Sequence, residues 1–517
     1  MPLLAPPVYS GNIRKSTMVR FGGYNHSKSA SEGEIYDMKN MSAGEYPILS
    51  ARGGRFRVKR MPVSGLCTVA CGGKRFFFYT DPEKASVGII GQKIIIMPDK
   101  KYIDLSEESL ALRDIEIELT QNITVGDGTY AGVNAKLNMI SYDGEETPFR
   151  VGDGVTISGF GEGYMQNNKT AVIEEVNISG GKVQLIFLEN TFSLPEGKTS
   201  YSAENITLAR KMPDMDYICA HDNRLWGCRK NTIYCSKLGD PFVWNNFQGE
   251  SGCFAQDVIS GGDFTGCISY LGYVIFFKED MIYKVYGSKP SNYQVISSAS
   301  LGVKKGSHRS FGVAGEVLFY HSRVGIVAYS GGIPQNISSV FGGEEYKNAV
   351  GGSDGVKYYV SMQNSLGEYS LFVYDTEKRL WMKEDDFAAA SIDFDDRLYL
   401  ADSDFIWSTT GNEGDVPEES VDSFVEFGDF YMGAPGKKGI SKLQVRAEIE
   451  EGSSLSVYIS FDGGDFEEVK TLKSQKKRSC VLPIVPRRCD HFRIKLCGHG
   501  MWRLYSLSKE YYSGSDI

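Results

Sequence analysis

Apolar residues in this chain recur at every second position in short runs, and Gly, Asp and Asn separate the runs. This two-residue period puts one side of each run in a core and the other toward water, which predicts short β-strands joined by tight turns. Similar units occur at 65–80, 87–106, 216–238, 265–287, 310–332, 352–383 and 389–408. A typical one reads "DYICAHDNRLWGCRKNTIYCSKL": a short apolar strand, a polar turn, an aromatic-rich strand, another turn and a third strand. From Cys219 onward, equivalent strands recur at roughly 40–50 residues, the period of propeller blades. One meander cannot bury both of its faces, and packing blades around an axis covers them. The expectation is an all-β chain with a propeller of five to seven blades. A sandwich of unrelated hairpins is the alternative for 60–410.

Residues 107–210 interrupt the repeat with more polar strands and "DG" and "GG" turns, as in "FRVGDGVTISGF". They read as a small β-barrel inserted between blades, since exposed loops tolerate insertions. After a polar, acidic stretch at 409–420 the strands lengthen around a hairpin, "ISFDGGDFEEV". Residues 421–517 therefore read as a C-terminal β-sandwich. The expected organisation is an extended arm over 1–60, first blades over 61–106, the insert over 107–210, further blades over 211–410, a linker over 411–420 and the sandwich over 421–517. The arm has few periodic apolar positions, so it is expected to lie over the fold or over a neighbour. It ends in Arg52, Arg55, Arg57, Lys59 and Arg60.

Composition narrows the choice. The 517 residues include 30 Tyr, 28 Phe and 58 Gly, which favours strands and turns. There are 65 acids against 56 Lys plus Arg, net −9, which excludes a wholly cationic nucleic-acid surface and leaves local basic strips at 52–60, 436–442 and 473–493. These read as solvated faces or subunit contacts before nucleic-acid sites, because aromatics do not interleave with them. The N-terminus lacks the layout of a signal peptide and no apolar run approaches about 20 residues, so the expectation is a soluble chain made in the cytoplasm, without membrane contact. The ten cysteines (67, 71, 219, 228, 235, 253, 267, 480, 489 and 497) mostly lie in apolar runs and read as buried, reduced thiols.

The chemistry-bearing residues form no persuasive constellation. The histidines, at 26, 221, 308, 321, 491 and 499, have no metal-ligand spacing. Cys67 and Cys71 lack a matching second pair. Acid clusters at 393–404 and 461–468 fall in turns, where carboxylates commonly bond local amides. A glycosidase would need two carboxylates converging on one bond; Asp393, Asp395 and Asp396 are the residues to replace in testing that reading. No catalytic residue, cofactor or metal ligand is assigned.

Two stretches carry a resemblance. In "EGEIYDMKNMSAGEYPILSARGGRFRV" the residues are Asp37, Asn40, Met41, Tyr46, Pro47 and Arg52. In "DNRLWGCRKNTIYCSKLGDPFVWNNF" they are Arg224, Leu225, Trp226, Ile233, Tyr234, Ser236, Gly239, Asp240, Pro241, Trp244 and Phe247. The chain thereby resembles the tail-nozzle, or tail-hub and packaged-DNA stabilisation, proteins of short-tailed bacteriophages. That resemblance implies a virion structural protein without enzymatic activity. It implies a homo-oligomeric ring, usually a hexamer, below the portal and adaptor proteins, with tail fibres or spikes at its periphery. DNA would pass through the ring without sequence-specific binding and be retained until ejection. Two rivals stand beside it: a tail-tip or baseplate module binding host glycans, and a propeller glycoside hydrolase or lyase.

Overall fold

The computed structural model describes residues 14–513 apart from 29, 31, 43, 61–65, 72–73, 80–83, 108–110, 195–196, 260, 432–436 and 486. Side chains are described for the same residues except 59–79 and 513, so those of Lys59, Arg60, Cys67 and Cys71 lie outside the description. The chain is all-β, and its helical segments among the described residues are four 3-10 turns of three residues each. Six antiparallel sheets follow one another as the blades of a propeller. Two compact units divide the chain: 80–305, and 1–79 with 306–517.

In the unit of 80–305, blade 1 comprises Ser86–Ile90, Lys93–Met97, Lys101–Asp104 and Arg113–Asp114. Blade 2 runs from Tyr217–His221 to Phe254–Asp257, and blade 3 from Gly266–Tyr270 to Gln294–Ala299. The run "KIIIM" buries Ile94, Ile95, Ile96 and Met97 almost completely, each worth roughly 1.5–3 kcal/mol of transfer from water. Gly88 permits close approach of blades 1 and 2: a Cβ there would sit 2.7 Å from Leu225 Cδ1. Cys219, Trp226, Cys228, Cys267 and Phe276 fill the contact between blades 2 and 3.

The insert runs from Ile117–Tyr130 to Ser200–Arg210 and forms a seven-stranded sheet. Its two end strands in pairing order, Thr170–Val172 and Glu175–Ser179, are consecutive in sequence. The Ile173 amide bonds Asp153 O at 2.9 Å and the Glu174 amide bonds Ile186 O at 2.8 Å, so two residues step from one rim to the other and nearly close a barrel. Val125, Ile140, Val155, Leu185, Ile206 and Leu208 fill it. At its base the buried pair Arg210 and Asp153 meets at 3.2 Å, and Arg210 also donates to Ile115 O at 3.0 Å. Entry and exit of the insert are thereby tied together.

In the second unit, blade 4 spans Gly312–Ala314 to Gln335–Asn336 and blade 5 spans Lys347–Ser353 to Leu380–Asp385. Blade 6 takes Ser391–Phe394, Leu398–Ala401 and Phe405–Ser408 and adds Phe56–Arg60 from the N-terminal side of the chain. A hairpin of Leu66–Cys71 and Lys74–Tyr79 forms a separate two-stranded sheet.

The C-terminal module is one ten-stranded sheet folded on itself. Its spine is Lys438–Phe461. One side of the spine pairs along its length with Glu467–Pro483. On the other side the first half pairs with Trp502–Ser513 and the second half with Phe492–His499. The register breaks between Ile449 and Ser454, where the strand changes partners and encloses Leu443, Val445, Leu455, Val457, Leu496 and Trp502.

The described residues of 14–60, part of the stretch expected as an extended arm, are threaded into this unit; residues 1–13 of that arm lie outside the described residues. Arg14–Met18 and Leu49–Ala51 pair with Trp502–Ser513, and Ile35–Lys39 pairs with Asp422–Phe427. The reason is burial: Ile35, Met38, Met41, Leu49 and Ala51 complete the apolar face. Their spacing in short strands with irregular junctions hides the period from a reading of sequence alone.

Candidate functional site

The two stretches that carry the resemblance build two polar clamps, one in each unit. In the first, Asn40 joins Ile35–Lys39 to Met41–Ser42 with φ of 56°, a left-handed value that Asn tolerates better than most residues. Its amide bonds Glu384 O in blade 5, and its side chain donates to Asp422 O at 2.7 Å. Arg52, only 7% exposed, donates Nε to Asn40 Oδ1 at 3.0 Å. Its fork holds both Glu418 oxygens at 2.7 and 3.0 Å and reaches Asp385 at 3.3 Å. Arg55 completes the set, with Asp385 at 2.8 Å and Glu384 at 3.1 Å, and lies 4.9 Å over the Phe387 ring. Burial works against the Glu418 carboxylate, but Arg52 and the Arg55 amide hold its pKa below the ordinary value. Arg55 is likewise desolvated, and its acid partners more than compensate. The clamp therefore ties the N-terminal segment, blade 5 and the segment after blade 6 into one charged knot.

In the second clamp, Arg224 is 2% exposed and donates to three backbone carbonyls: Ser236 at 2.8 Å, Gly252 at 2.5 Å and Glu250 at 2.9 Å. Ser236 Oγ receives the Leu225 amide at 2.9 Å. Gly239, with φ of 74°, donates its amide to Asn223 O at 2.8 Å. Asp240 caps the following turn by accepting the Phe242 amide at 2.9 Å, and Trp244 Nε1 donates to Pro241 O at 2.8 Å. Trp226 packs against Phe276 and Tyr293, with centroids 6.5 and 5.0 Å away. Phe247, a large apolar residue of this set, is 60% exposed.

The remaining sequence candidates stay apart. Asp393, Asp395 and Asp396 lie along one hairpin of blade 6, where Asp396 accepts the Tyr399 hydroxyl at 2.9 Å. His321 is buried, with Nδ1 at 2.9 Å from Ser307 Oγ. His26 stacks on Tyr36 at 4.4 Å, His221 meets Ser269, and His499 meets Asp422. Among the described residues, no group of three or more His, Cys, Asp or Glu is placed to hold a metal ion. Among the described residues no helix is long and apolar enough to cross a membrane.

A cavity of about 620 Å³ in the unit of 80–305 is lined by Asp216, Tyr217, Asp263, Phe264, Lys278 and Glu279, among others. Lys278, at the end of the run "YVIFFK", is buried, donates to Asn231 Oδ1 at 2.5 Å and lies 5.1 Å from the Phe264 ring. Burial lowers its pKa and raises that of Asp216, to which Asp263 adds. Sequence reasoning passes over this lysine; a cation closing a fully apolar run was the available signal.

No family model and no curated protein matches the sequence. Among solved structures, an exo-beta-1,3-galactanase from Phanerochaete chrysosporium is similar at 10% identity, covering 56% of this chain and 94% of that one with a TM-score of 0.23. PorZ, a bacterial surface component of the type-IX secretion system of Porphyromonas gingivalis, is similar at 11% identity, covering 87% and 71% with a TM-score of 0.27. The WD40 domain of Toxoplasma gondii coronin is similar at 10% identity, covering 91% and 89% with a TM-score of 0.19. At this level of similarity, function rests on the chain's own residues.

Proposed function

We propose that this chain is a structural protein of a short-tailed phage virion, a subunit of the tail nozzle or hub ring that forms the distal DNA channel and retains packaged DNA until ejection. One observation carries the reading: key residues of both resembling stretches are engaged in internal clamps, Arg52 on the carboxylates of Glu418 and Asp385 and Arg224 on three carbonyls. Residues so engaged hold shape and leave few side chains free for turnover. The ring, usually a hexamer in the resembling family, would sit below portal and adaptor proteins and carry fibres or spikes. The net charge of −9 suits a channel wall that does not grip phosphates.

The test is electron microscopy with mass measurement of the purified chain, alone and with its portal and adaptor neighbours. Rings with an acidic lumen are expected. A chain that stays monomeric in the presence of those neighbours, or a ring with a lysine- and arginine-lined lumen, overturns the reading.

A second reading, recognition of host glycans, draws on the cavity, whose carboxylates and Tyr217 suit sugar hydroxyls and ring faces. A glycan array with Asp263→Asn as control separates it: binding lost in the variant supports it.

A further inference from the structure

Glu467–Pro483 is an edge strand of 17 residues, and among the described residues it pairs with the spine alone. Along such an edge, every second residue presents its N–H and C=O outward without a partner strand. The charge along this edge is one-sided. Between Val469 and Pro483 there are five cations, Lys470, Lys473, Lys476, Lys477 and Arg478, and no acid, in a chain of net charge −9. Two of the five are engaged locally: Lys477 lies 3.7 Å over the Tyr505 ring, and Arg478 donates to Gln475 at 2.9 Å. The other three, Lys470, Lys473 and Lys476, are exposed and make no ion pair among the described residues.

We infer that this edge docks an acidic, extended segment of a partner protein by β-strand addition. Open backbone groups supply pairing for any extended chain, and the lysines choose among candidates. A second copy of the same strand would set lysine against lysine, which like-charge repulsion opposes. A strand bearing Glu or Asp at alternate positions satisfies the backbone edge and sets its acids against the lysines of one face, since the unbroken register from Lys470 to Lys473 puts these two on opposite faces. Nucleic acid would use the lysines but leave the backbone groups unpaired, so the combination favours a peptide. This surface stands on its own pairing and charge and does not depend on the nozzle reading.

The experiment is fluorescence anisotropy of the full chain with three labelled ten-residue probes: an alternating Glu/Val peptide, the same peptide N-methylated at alternate residues, and an alternating Lys/Val peptide. The Glu/Val peptide is expected to bind, and to weaken at least tenfold between 50 and 300 mM NaCl. The N-methylated and Lys/Val peptides are expected to bind at least tenfold less tightly. The variant Lys470→Gln with Lys473→Gln and Lys476→Gln is expected to lose at least tenfold in affinity while melting at the wild-type temperature. Equal binding of the N-methylated peptide shows that the edge is not used and overturns the proposal, with no variant needed. So does failure of the Glu/Val peptide to bind, or its displacement by a tighter-binding 20-base-pair duplex DNA.

Discussion

Arg52 and Asn40 hold each other twice: the Arg52 guanidinium donates to the Asn40 side chain at 3.0 Å, and the Arg52 amide donates to the Asn40 carbonyl at 2.9 Å. Arg52→Met removes the side-chain half of this link, keeps the backbone half, and leaves Glu418 and Asp385 with one arginine between them. The expected loss is about 3 kcal/mol, as for removal of one partner from a buried ion pair. Asn40→Val should cost more than Asn40→Gly by roughly 1–2 kcal/mol, because a β-branched residue resists the left-handed backbone at that position. Thermal melts of the three variants check both the size and the order.

Glu418 gives the clamp a defined response to acid. Its folded pKa lies below the ordinary value of 4.5, after Arg52 and Arg55 outweigh burial. Its contribution to stability is therefore complete above that ordinary value, declines as pH falls below it, and is lost once pH passes beneath the folded pKa. Glu418→Gln should be less stable at neutral pH and lose less stability than wild type between about pH 5 and pH 3. Melting temperature against pH for the two proteins is the check; parallel curves would contradict it.

Arg224 makes a different kind of anchor, since its partners are carbonyls. Arg224→Met removes the guanidinium donor from two buried carbonyls, Ser236 and Gly252, and from the part-buried carbonyl of Glu250, at a cost of at least about 2 kcal/mol. The loosening should be local. Hydrogen exchange is expected to accelerate in 236–253, while the barrel strands Ile117–Tyr130 and Ser200–Arg210 keep their protection.

The cysteines should sort by burial in alkylation. Cys219, Cys228 and Cys267 are buried; desolvation raises the thiol pKa of Cys228 and Cys267, and at Cys219 a hydrogen bond with Cys267 raises it, with desolvation adding to the effect. Burial also pushes Cys253 up to about 11. These thiols should resist iodoacetamide in the native protein and react on unfolding, whereas the half-buried Cys480 and Cys497 should react first. Peptide mapping by mass spectrometry reads the order.

Much of the architecture was legible because a two-residue period reports which side of a strand is buried. The hairpin "FDGGD" was readable in full: Asp462 and Gly463 carry φ of 50° and 73°, the values a tight hairpin turn asks for, and they join the spine to its edge strand. The period does not report which strand is the neighbour. Nothing near Arg52 announces Asp385 and Glu418, which lie more than 300 residues away. The turn of the spine at 449–454 is also silent, because apolar positions continue on both sides while the partner changes. Phe247 shows the opposite limit: a string of matched letters does not say which of them faces water.

The pairing of Arg14–Met18 with residues 507–511 has a consequence for biosynthesis. On the ribosome, the described strands of 80–305 have all their pairing partners as soon as that stretch has emerged. Arg14–Met18 and Leu49–Ala51 have theirs only when translation reaches 502–513, so they must wait until all of 80–305 and nearly all of 306–517 have been made. A truncation that removes Trp502–Ser513 would orphan Arg14–Met18 and Leu49–Ala51, made some hundreds of residues earlier.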